Sequence, residues 1–288
     1  MFKGFETREI KVSAAKIHLK SAGSGPPLLL LHGYPQTHVM WHRLAPRLAK
    51  RFTVVMPDLR GYGDSSKPAS VDNHESYSKR AMANDQVEVM SQLGFERFSV
   101  VGHDRGGRVA HRMVRDHPTR IDKIAVLDIA PTALMYGQTD KAFATAYYHW
   151  FFLIQPSGLP ERLIGADPEF YLTYKLKAWC KTPGAISDPA LKEYKRCFSN
   201  PLVIHASCED YRASASIDLE HDQTNEGEKI DHPLLVLWGA LGFVGATYDM
   251  LASWREVASN VQGHSVPGGH FLPEEAPEET LKALLEFL

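Results

Sequence analysis

Cysteine is scarce in this sequence, where Cys180, Cys197 and Cys208 are the only three among 288 residues. An odd number at wide spacing matches neither a disulfide framework nor the paired cysteines of a zinc site. We therefore expect no disulfide scaffold and no metal. Free thiols are typical of a reducing compartment, so we predict a cytoplasmic protein.

Long hydrophobic runs and an excess of charge of one sign are also missing. The longest dense apolar stretch, PPLLLLHG, has the length of a buried strand, whereas a membrane-spanning helix needs about 20 apolar residues. The first residues, MFKGFETREIKV, lack the apolar segment of a signal peptide. Lys and Arg number 32 against 34 Asp and Glu. We expect neither a nucleic-acid partner nor a membrane partner.

Strand and helix patterns alternate along the first 131 residues. EIKV and KIHLKSAG predict an antiparallel hairpin, and LLLLHG, FTVVMPD, FSVVGH and IDKIAVLDIAP predict buried strands. HVMWHRLAPRLAKR and SYSKRAMANDQVEVMSQLGF predict helices between them. This alternation predicts an α/β fold with a mostly parallel central sheet flanked by helices.

The alternation stops after Pro131 and resumes at HPLLVLWGA. The segment between is rich in aromatic residues and helix formers, as in FATAYYHWFF and DPEFYLTYKLKAWC, and shows no buried strand. We predict an all-helical cap at residues 132–212, inserted into a core formed by residues 1–131 and 213–288. A chain of this length and 44% hydrophobic content can form one large core with such an insertion.

The most informative motif is GHDRGG at residues 102–107, between a predicted strand and a predicted helix. It has the G-x-nucleophile-x-G pattern of a sharp turn that exposes its central side chain. Asp104 takes the place where serine is usual. A carboxylate attacks a saturated carbon more readily than a carbonyl and becomes an alkyl ester, which water must then hydrolyse. The alternative is an ordinary Asp that caps the following helix.

Three segments resemble the signature of the α/β-hydrolases with an Asp nucleophile: HGYP at 32–35, DLRGYGDS at 58–65 and GHDRGG at 102–107. That group includes haloalkane dehalogenases, epoxide hydrolases and haloacetate dehalogenases. The resemblance runs essentially end to end, cap included, and is greatest to the fluoroacetate dehalogenases. It implies an α/β-hydrolase fold and the hydrolytic removal of halogen from a short 2-haloacid.

The order nucleophile, acid, histidine along such a chain predicts the two partners of Asp104. His270, in PGGHF after the last predicted strand, is the predicted general base. Asp128 is the predicted acid, because the next strand region lacks a carboxylate and Asp249 lies too far along. A carboxylate in so apolar a segment needs a partner, although Asp128 could also simply cap the first cap helix. The backbone N–H groups of Tyr34 and Arg105 are the predicted oxyanion hole.

Two arginines follow the nucleophile, and they decide the predicted substrate. Arg105 is adjacent to Asp104, and Arg108 lies one helical turn further on. Guanidinium groups bind carboxylates in bidentate fashion, so the pair is predicted to hold the carboxylate of a haloacid. Salt bridges to Asp104 or Asp58 are the alternative. The fluoroacetate dehalogenases, which this sequence resembles, have arginine at both positions.

The halide-binding residues are implied mainly by the resemblance. His149 and Trp150, in YYHW, and Tyr211, in EDYR, match the donors that receive the halide in fluoroacetate dehalogenases. Fluoride is strongly hydrated, so hydrogen-bond donors must replace its water. The alternative is that these aromatic residues only pack within the cap.

Two other functions remain open from the sequence. An epoxide hydrolase would use the same Asp104, Asp128 and His270 with cap tyrosines such as Tyr147, Tyr148 or Tyr211, but a neutral epoxide gains nothing from Arg105 and Arg108. A non-catalytic binding protein on the same scaffold is the second alternative. We expect no cofactor, and we expect a small haloacid and its halide product as the ligands. Similar enzymes are often dimers, so a homodimer is implied by the resemblance alone.

Overall fold

The computed structural model describes all residues, 1–288, and its centre is an eight-stranded β-sheet. The inner strands are short apolar runs, as in the PLLLL segment of β3, where the four leucines are buried. Such runs form strands that are covered on both faces. The strands are β1 (Glu6–Lys11), β2 (Lys16–Ala22), β3 (Pro27–Leu31), β4 (Thr53–Pro57), β5 (Phe98–His103), β6 (Ile121–Leu127), β7 (Leu234–Gly239) and β8 (Val261–Val266).

The strand order is β1-β2-β4-β3-β5-β6-β7-β8. The pairs from β4 through β8 are parallel, whereas β2 pairs antiparallel with both β1 and β4. In the β1–β2 hairpin, Glu6 lies opposite Ser21 and Lys11 opposite Lys16. The predicted hairpin and the mostly parallel central sheet are therefore confirmed.

Helices of the core flank this sheet in the predicted order, with one correction. HVMWHRLAPRLAKR is not one helix but a 3-10 turn, His38–Trp41, and the short α1. Pro46 has no N–H to donate, so an α-helix has to begin near it rather than pass through it. The core helices are α1 (Ala45–Leu48), α2 (Lys79–Gln92), α3 (Arg105–Asp116), α12 (Phe243–Thr247), α13 (Met250–Arg255), α14 (Leu272–Glu275) and α15 (Pro277–Phe287), with further 3-10 turns at Glu75–Tyr77 and Pro118–Arg120.

Only helices lie between β6 and β7, and they begin at Thr132 as the sequence suggested. The helices continue beyond Arg212, the predicted end of the cap, and one more helix follows before β7. The division of the chain at residue 212 stays a prediction. These helices are α4 (Thr132–Gly137), α5 (Lys141–Ala146), α6 (Tyr148–Phe152), α7 (Leu159–Ala166), α8 (Pro168–Trp179), α9 (Asp188–Phe198), α10 (Pro201–Ser214) and α11 (Ile217–Gln223).

One hydrophobic cluster joins the sheet to the helical insertion. It includes the strand residues Leu30 and Val101 together with Leu172 of α8 and Phe198 of α9. No helix of the protein has both the length and the apolar character needed to span a membrane. The insertion is thus held on the sheet by shared apolar packing.

The carboxyl ends of the central strands define where a site can form. β5 and β6 are neighbours, and each is followed directly by an aspartate, Asp104 and Asp128. In parallel sheets of this type, ligands bind at that edge. The helical insertion begins four residues after Asp128, so it covers the same edge.

The turn between β5 and α3 depends on small residues. A Cβ atom on Gly106 would lie 2.4 Å from the carbonyl oxygen of His32, and one on Gly102 would lie 2.3 Å from the carbonyl oxygen of Gly106. Neither neighbour is a flexible side chain. Asp104 between them has φ of 48°, a conformation that costs energy for a residue with a Cβ.

We predict that Gly106→Ala destabilises the protein by about 1–3 kcal/mol, the usual cost of overpacking. The added methyl group meets the backbone of β3, which cannot move without shifting the sheet. Gly165→Ala is the matched control, since a Cβ there meets nothing within 4 Å. Urea denaturation of both variants checks the prediction, and equal stabilities would contradict it.

Candidate active site

Asp104 lies at the junction of β5 and α3 with its carboxylate buried, and the residue is only 7% exposed. Its Oδ1 atom accepts a hydrogen bond of 2.8 Å from the backbone N–H of Tyr34. Burial by itself would raise the pKa of Asp104. The nearby charges of His270, Arg105 and Arg108 outweigh burial and keep the pKa below its ordinary value. The carboxylate is therefore ionised.

His270 connects Asp104 to Asp128. Its Nδ1 atom donates to Asp128 Oδ2 at 2.6 Å, and its Nε2 atom lies 3.8 Å from Asp104 Oδ2. The other oxygen of Asp128 accepts the backbone N–H of Gly239 at 2.9 Å, which fixes the carboxylate. Burial opposes the charged form of His270, but the hydrogen bond and charge of Asp128 raise its pKa above the ordinary value. The three predicted catalytic residues are thus brought together.

His103, the last residue of β5, packs against the ring of His270 and hydrogen-bonds its backbone. Its Nε2 atom donates to the carbonyl oxygen of His270 at 2.7 Å, and the two rings lie 4.6 Å apart between centroids. Burial, reinforced by the charge of His270, lowers the pKa of His103 to about 3, so this second imidazole is neutral. Sequence reasoning did not single out His103, although it directly precedes Asp104.

Glu275 of α14 holds the loop that carries His270, and this contact was also missed. Its Oε2 atom accepts the backbone N–H groups of Gly269, Lys181 and Thr182 at 2.9, 2.7 and 3.0 Å. Its Oε1 atom accepts the N–H of Phe271 at 2.8 Å. One buried carboxylate therefore ties the histidine loop to the helical insertion.

Arg105 is placed differently from the prediction, because its guanidinium has a carboxylate partner within the protein. Nε and Nη2 donate to the two oxygens of Asp210 at 3.0 and 2.6 Å, and Nη2 also donates to Ser214. The predicted alternative partners, Asp104 and Asp58, make no ion pair with it. Its remaining nitrogen, Nη1, is buried without a hydrogen-bond partner.

Asp210 was missed because it lies over a hundred residues from Arg105 in the sequence. It is fully buried on α10, and it also accepts hydrogen bonds from Tyr62 (2.6 Å) and from the ammonium of Lys79. Burial would raise its pKa, but the charges of Arg105 and Lys79 hold it well below the ordinary value. The only signal in the sequence is physical: a buried guanidinium requires a counter-charge.

Arg108 is buried without any carboxylate partner. Its Nη1 atom donates to Ala130 O at 3.1 Å and to Thr132 Oγ1 at 2.7 Å, and its Nε atom has no partner. The guanidinium stacks on the ring of Trp150, 4.8 Å from its centroid. Burial and the neighbouring Arg105 lower its pKa below the ordinary value for arginine. An uncompensated cation therefore lies one turn from Asp104.

The three predicted halide-binding residues lie together above this edge of the sheet. The ring of Tyr211 is 5.4 Å from His149 and 6.4 Å from Trp150, measured between centroids. Tyr211 Oη and His149 Nδ1 are buried and have no hydrogen-bond partner. Burial lowers the pKa of His149 far below its ordinary value and raises that of Tyr211, so both groups are neutral. Neutral donors without partners can receive a small anion.

The predicted oxyanion hole involves Tyr34 and Arg105. The N–H of Tyr34 points at the Asp104 carboxylate, and Arg105 begins the helix that follows it. The role of these two N–H groups as an oxyanion hole stays a prediction. The ring of Tyr34 also packs against Tyr211, with centroids 5.3 Å apart. The same residue thus contacts the predicted nucleophile and the predicted halide pocket.

Trp179, at the end of α8, completes the wall of the site and was not predicted. Its ring lies 4.7 Å from His149 and 5.4 Å from His270 between centroids. A cavity of about 460 Å³ opens beside it and reaches Asp128 and His270. The cavity is partly open to solvent, and its lining includes Trp179 of α8 and Leu241 in the loop before α12.

Comparison with known proteins supports the assignment of the family. A family model described as the alpha/beta hydrolase fold matches residues 26–277. The chain belongs to the α/β-hydrolase family.

Individual relatives cover nearly the whole chain. The fluoroacetate dehalogenase of Burkholderia sp is 48% identical over 100% of this chain and 95% of that protein. The soluble epoxide hydrolase of Corynebacterium sp. (strain C12) is 35% identical over 96% of this chain and 94% of its own length. A crystal structure of an α/β hydrolase from Nostoc sp PCC 7120 superposes with a TM-score of 0.99 at 64% identity, covering 100% of this chain and 99% of that one.

We predict that Asp210→Asn destabilises the protein by about 3–5 kcal/mol, because it leaves the buried Arg105 without a carboxylate partner, whereas Lys79 keeps Asp218. The matched control is Asp122→Asn, which breaks the exposed ion pair with Arg97 and should cost less than about 1 kcal/mol. Chemical denaturation of both variants gives the comparison. Similar losses in the two variants would show that the buried network does not hold Arg105.

Proposed function

We propose that the protein hydrolyses a short 2-haloacid, such as fluoroacetate or chloroacetate, to the 2-hydroxy acid and halide. The observation that carries the proposal is the pair of buried guanidinium groups next to Asp104. Arg108 has no carboxylate partner, and Arg105 keeps Nη1 free although Asp210 occupies its other nitrogens. The two free nitrogens, Arg105 Nη1 and Arg108 Nε, are donors for the carboxylate of a substrate.

In the first step an oxygen of Asp104 attacks Cα of the haloacid. A C–O bond forms, the carbon–halogen bond breaks, and the halide leaves with the bonding electrons. The substrate carboxylate held by the two arginines fixes Cα beside Asp104, and such positioning is a large part of the catalysis. Because Asp104 is ionised and neither Arg105 nor Arg108 forms an ion pair with it, its oxygen is available as a nucleophile.

The departing halide is received by His149, Trp150 and Tyr211. Tyr211 Oη and His149 Nδ1 have no partner in the protein. Since burial keeps both groups neutral, they serve as donors without first losing a counter-ion. Donors that are already oriented stabilise the developing charge without reorganisation.

In the second step His270 takes a proton from water, and the water oxygen attacks the carboxyl carbon of the Asp104 ester. The N–H groups of Tyr34 and Arg105 stabilise the oxyanion. When the bond between the carboxyl carbon and the ester oxygen breaks, the protonated His270 gives its proton to the departing oxygen, which becomes the hydroxyl group of the product. The carboxyl group of Asp104 keeps the oxygen from water and loses its proton to solvent. Asp128 stabilises the imidazolium that forms. Neither a cofactor nor a metal takes part in these steps.

The three free cysteines agree with the proposed cytoplasmic location, and the homodimer stays a prediction.

Epoxide hydrolysis is the rival proposal, since one relative is a soluble epoxide hydrolase. The same Asp104 and His270 would act, and Tyr211 with Tyr147 would donate to the epoxide oxygen. The cation of Arg108 distinguishes the two functions. A neutral epoxide leaves this buried charge uncompensated, whereas a haloacid neutralises it.

We predict that the wild-type protein releases fluoride or chloride from the haloacetates and forms no diol from styrene oxide. Arg108→Leu should lower kcat/KM on the haloacetates by at least about 30-fold, because losing one partner of a buried ion pair costs about 2–5 kcal/mol. Halide-selective electrodes and chromatography of glycolate measure both products.

The control variant is Arg115→Leu, which removes an arginine from the same helix two turns away, where its Nε donates to His111. It should keep the turnover of the wild type. Diol formation from styrene oxide without halide release would replace the dehalogenase proposal with an epoxide hydrolase. Unchanged haloacetate turnover in Arg108→Leu would refute the role of the arginine pair.

A further inference from the structure

Lys175 of α8 is a buried cation that the proposed reaction does not use. The residue is 1% exposed, and no carboxylate lies within ion-pair distance of its ammonium. Aromatic rings surround the ammonium instead: Nζ lies 3.6 Å from the ring centroid of Tyr148, 4.9 Å from Trp179 and 5.9 Å from Tyr171. This arrangement is a cation in an aromatic cage.

A lysine in such a place is costly unless an anion joins it. Cation–π contacts recover about 0.5–2 kcal/mol, whereas the effective penalty of burying an ion is several kcal/mol. Burial alone lowers the pKa of Lys175 to about 7. An anion that binds next to the ammonium would favour its charged form again.

The location of Lys175 indicates which anion it meets. It lines the cavity of about 460 Å³ that reaches Asp128 and His270. Trp179 contacts both groups, since its ring centroid lies 4.9 Å from Lys175 Nζ and within 5.4 Å of the rings of His149 and His270. The charge of Lys175 also helps to lower the pKa of His149, so its field extends to the halide pocket.

The other lysine on this cavity is already engaged. Lys181 is exposed, and its ammonium donates to Ala178 O at 2.7 Å. Lys175 is therefore the cation of the cavity that lacks a polar partner and is shielded from bulk water. A small anion in the cavity would meet it before reaching Arg105 and Arg108.

We propose that Lys175 and its aromatic cage form a separate anion site in the entrance of the active site. It binds the carboxylate of the incoming acid and passes it on to the arginine pair. Its identification as a substrate site rests on the proposed function, but anion binding as such does not. The site gives no advantage to neutral molecules such as epoxides.

The first test uses iodide as the anion and Trp179 as the reporter. Iodide should quench the fluorescence of Trp179 severalfold less in Lys175→Met than in the wild type, and Trp179→Phe identifies the part of the signal that belongs to this residue. The neutral quencher acrylamide should act equally on both proteins, which excludes a change in access. Lys177→Met removes an exposed charge from the same helix and should behave as the wild type.

The second test follows turnover. Lys175→Met should lower kcat/KM for chloroacetate about tenfold with little change in kcat, because a positive entrance raises the local concentration of an anionic substrate. Lys175→Arg keeps the charge and should retain both turnover and iodide selectivity. This conservative variant separates charge from packing if Lys175→Met is less stable.

Equal iodide quenching in wild type and Lys175→Met would overturn the anion site, and so would equal losses of turnover in the Arg and Met variants. Iodide selectivity at Lys175 without any halide release from haloacids would leave the anion site in place and refute the proposed function. The two proposals can therefore fail independently.

Discussion

The carboxylate of Asp104 is buried at the end of β5, and as the proposed nucleophile it has to stay ionised without an arginine in direct contact. The structure meets both conditions, because Tyr34 N–H binds one oxygen while the cations around the carboxylate lower its pKa from a distance. A guanidinium in direct contact would occupy the lone pairs that a nucleophile needs. Asp210 prevents this by holding Arg105 from the other side.

The helical insertion consequently contributes residues to the candidate site and does not only cover it. Adjacent residues of α10 have different partners: Asp210 binds Arg105 and Lys79, while Tyr211 stacks under Arg105 and faces His149. Glu275 makes a second connection, from the histidine loop to the end of α8. A movement of α8 or α10 would therefore alter the arginine pair, the halide pocket and the support of His270 together.

Local patterns were sufficient to predict the sheet, the turn at Asp104 and the positions of Asp128 and His270. Each is encoded within a few residues, by an apolar run that ends in Gly, Asp or His. Long-range partners were not predictable in this way. Asp210 and Trp179 reach the site only through the packing of α10 and α8, and the helix expected around Pro46 was shortened by the missing N–H.

In the proposed reaction, the hydroxyl oxygen of the product comes from Asp104 and not directly from water. A single turnover of excess enzyme with chloroacetate in ¹⁸O-labelled water tests it, with mass spectrometry of the glycolate and of the peptide that contains Asp104. If Asp104 is the nucleophile, we expect unlabelled oxygen in the new hydroxyl group of glycolate and one ¹⁸O atom in the Asp104 carboxylate. Labelled glycolate from the first turnover, with Asp104 unlabelled, would contradict it.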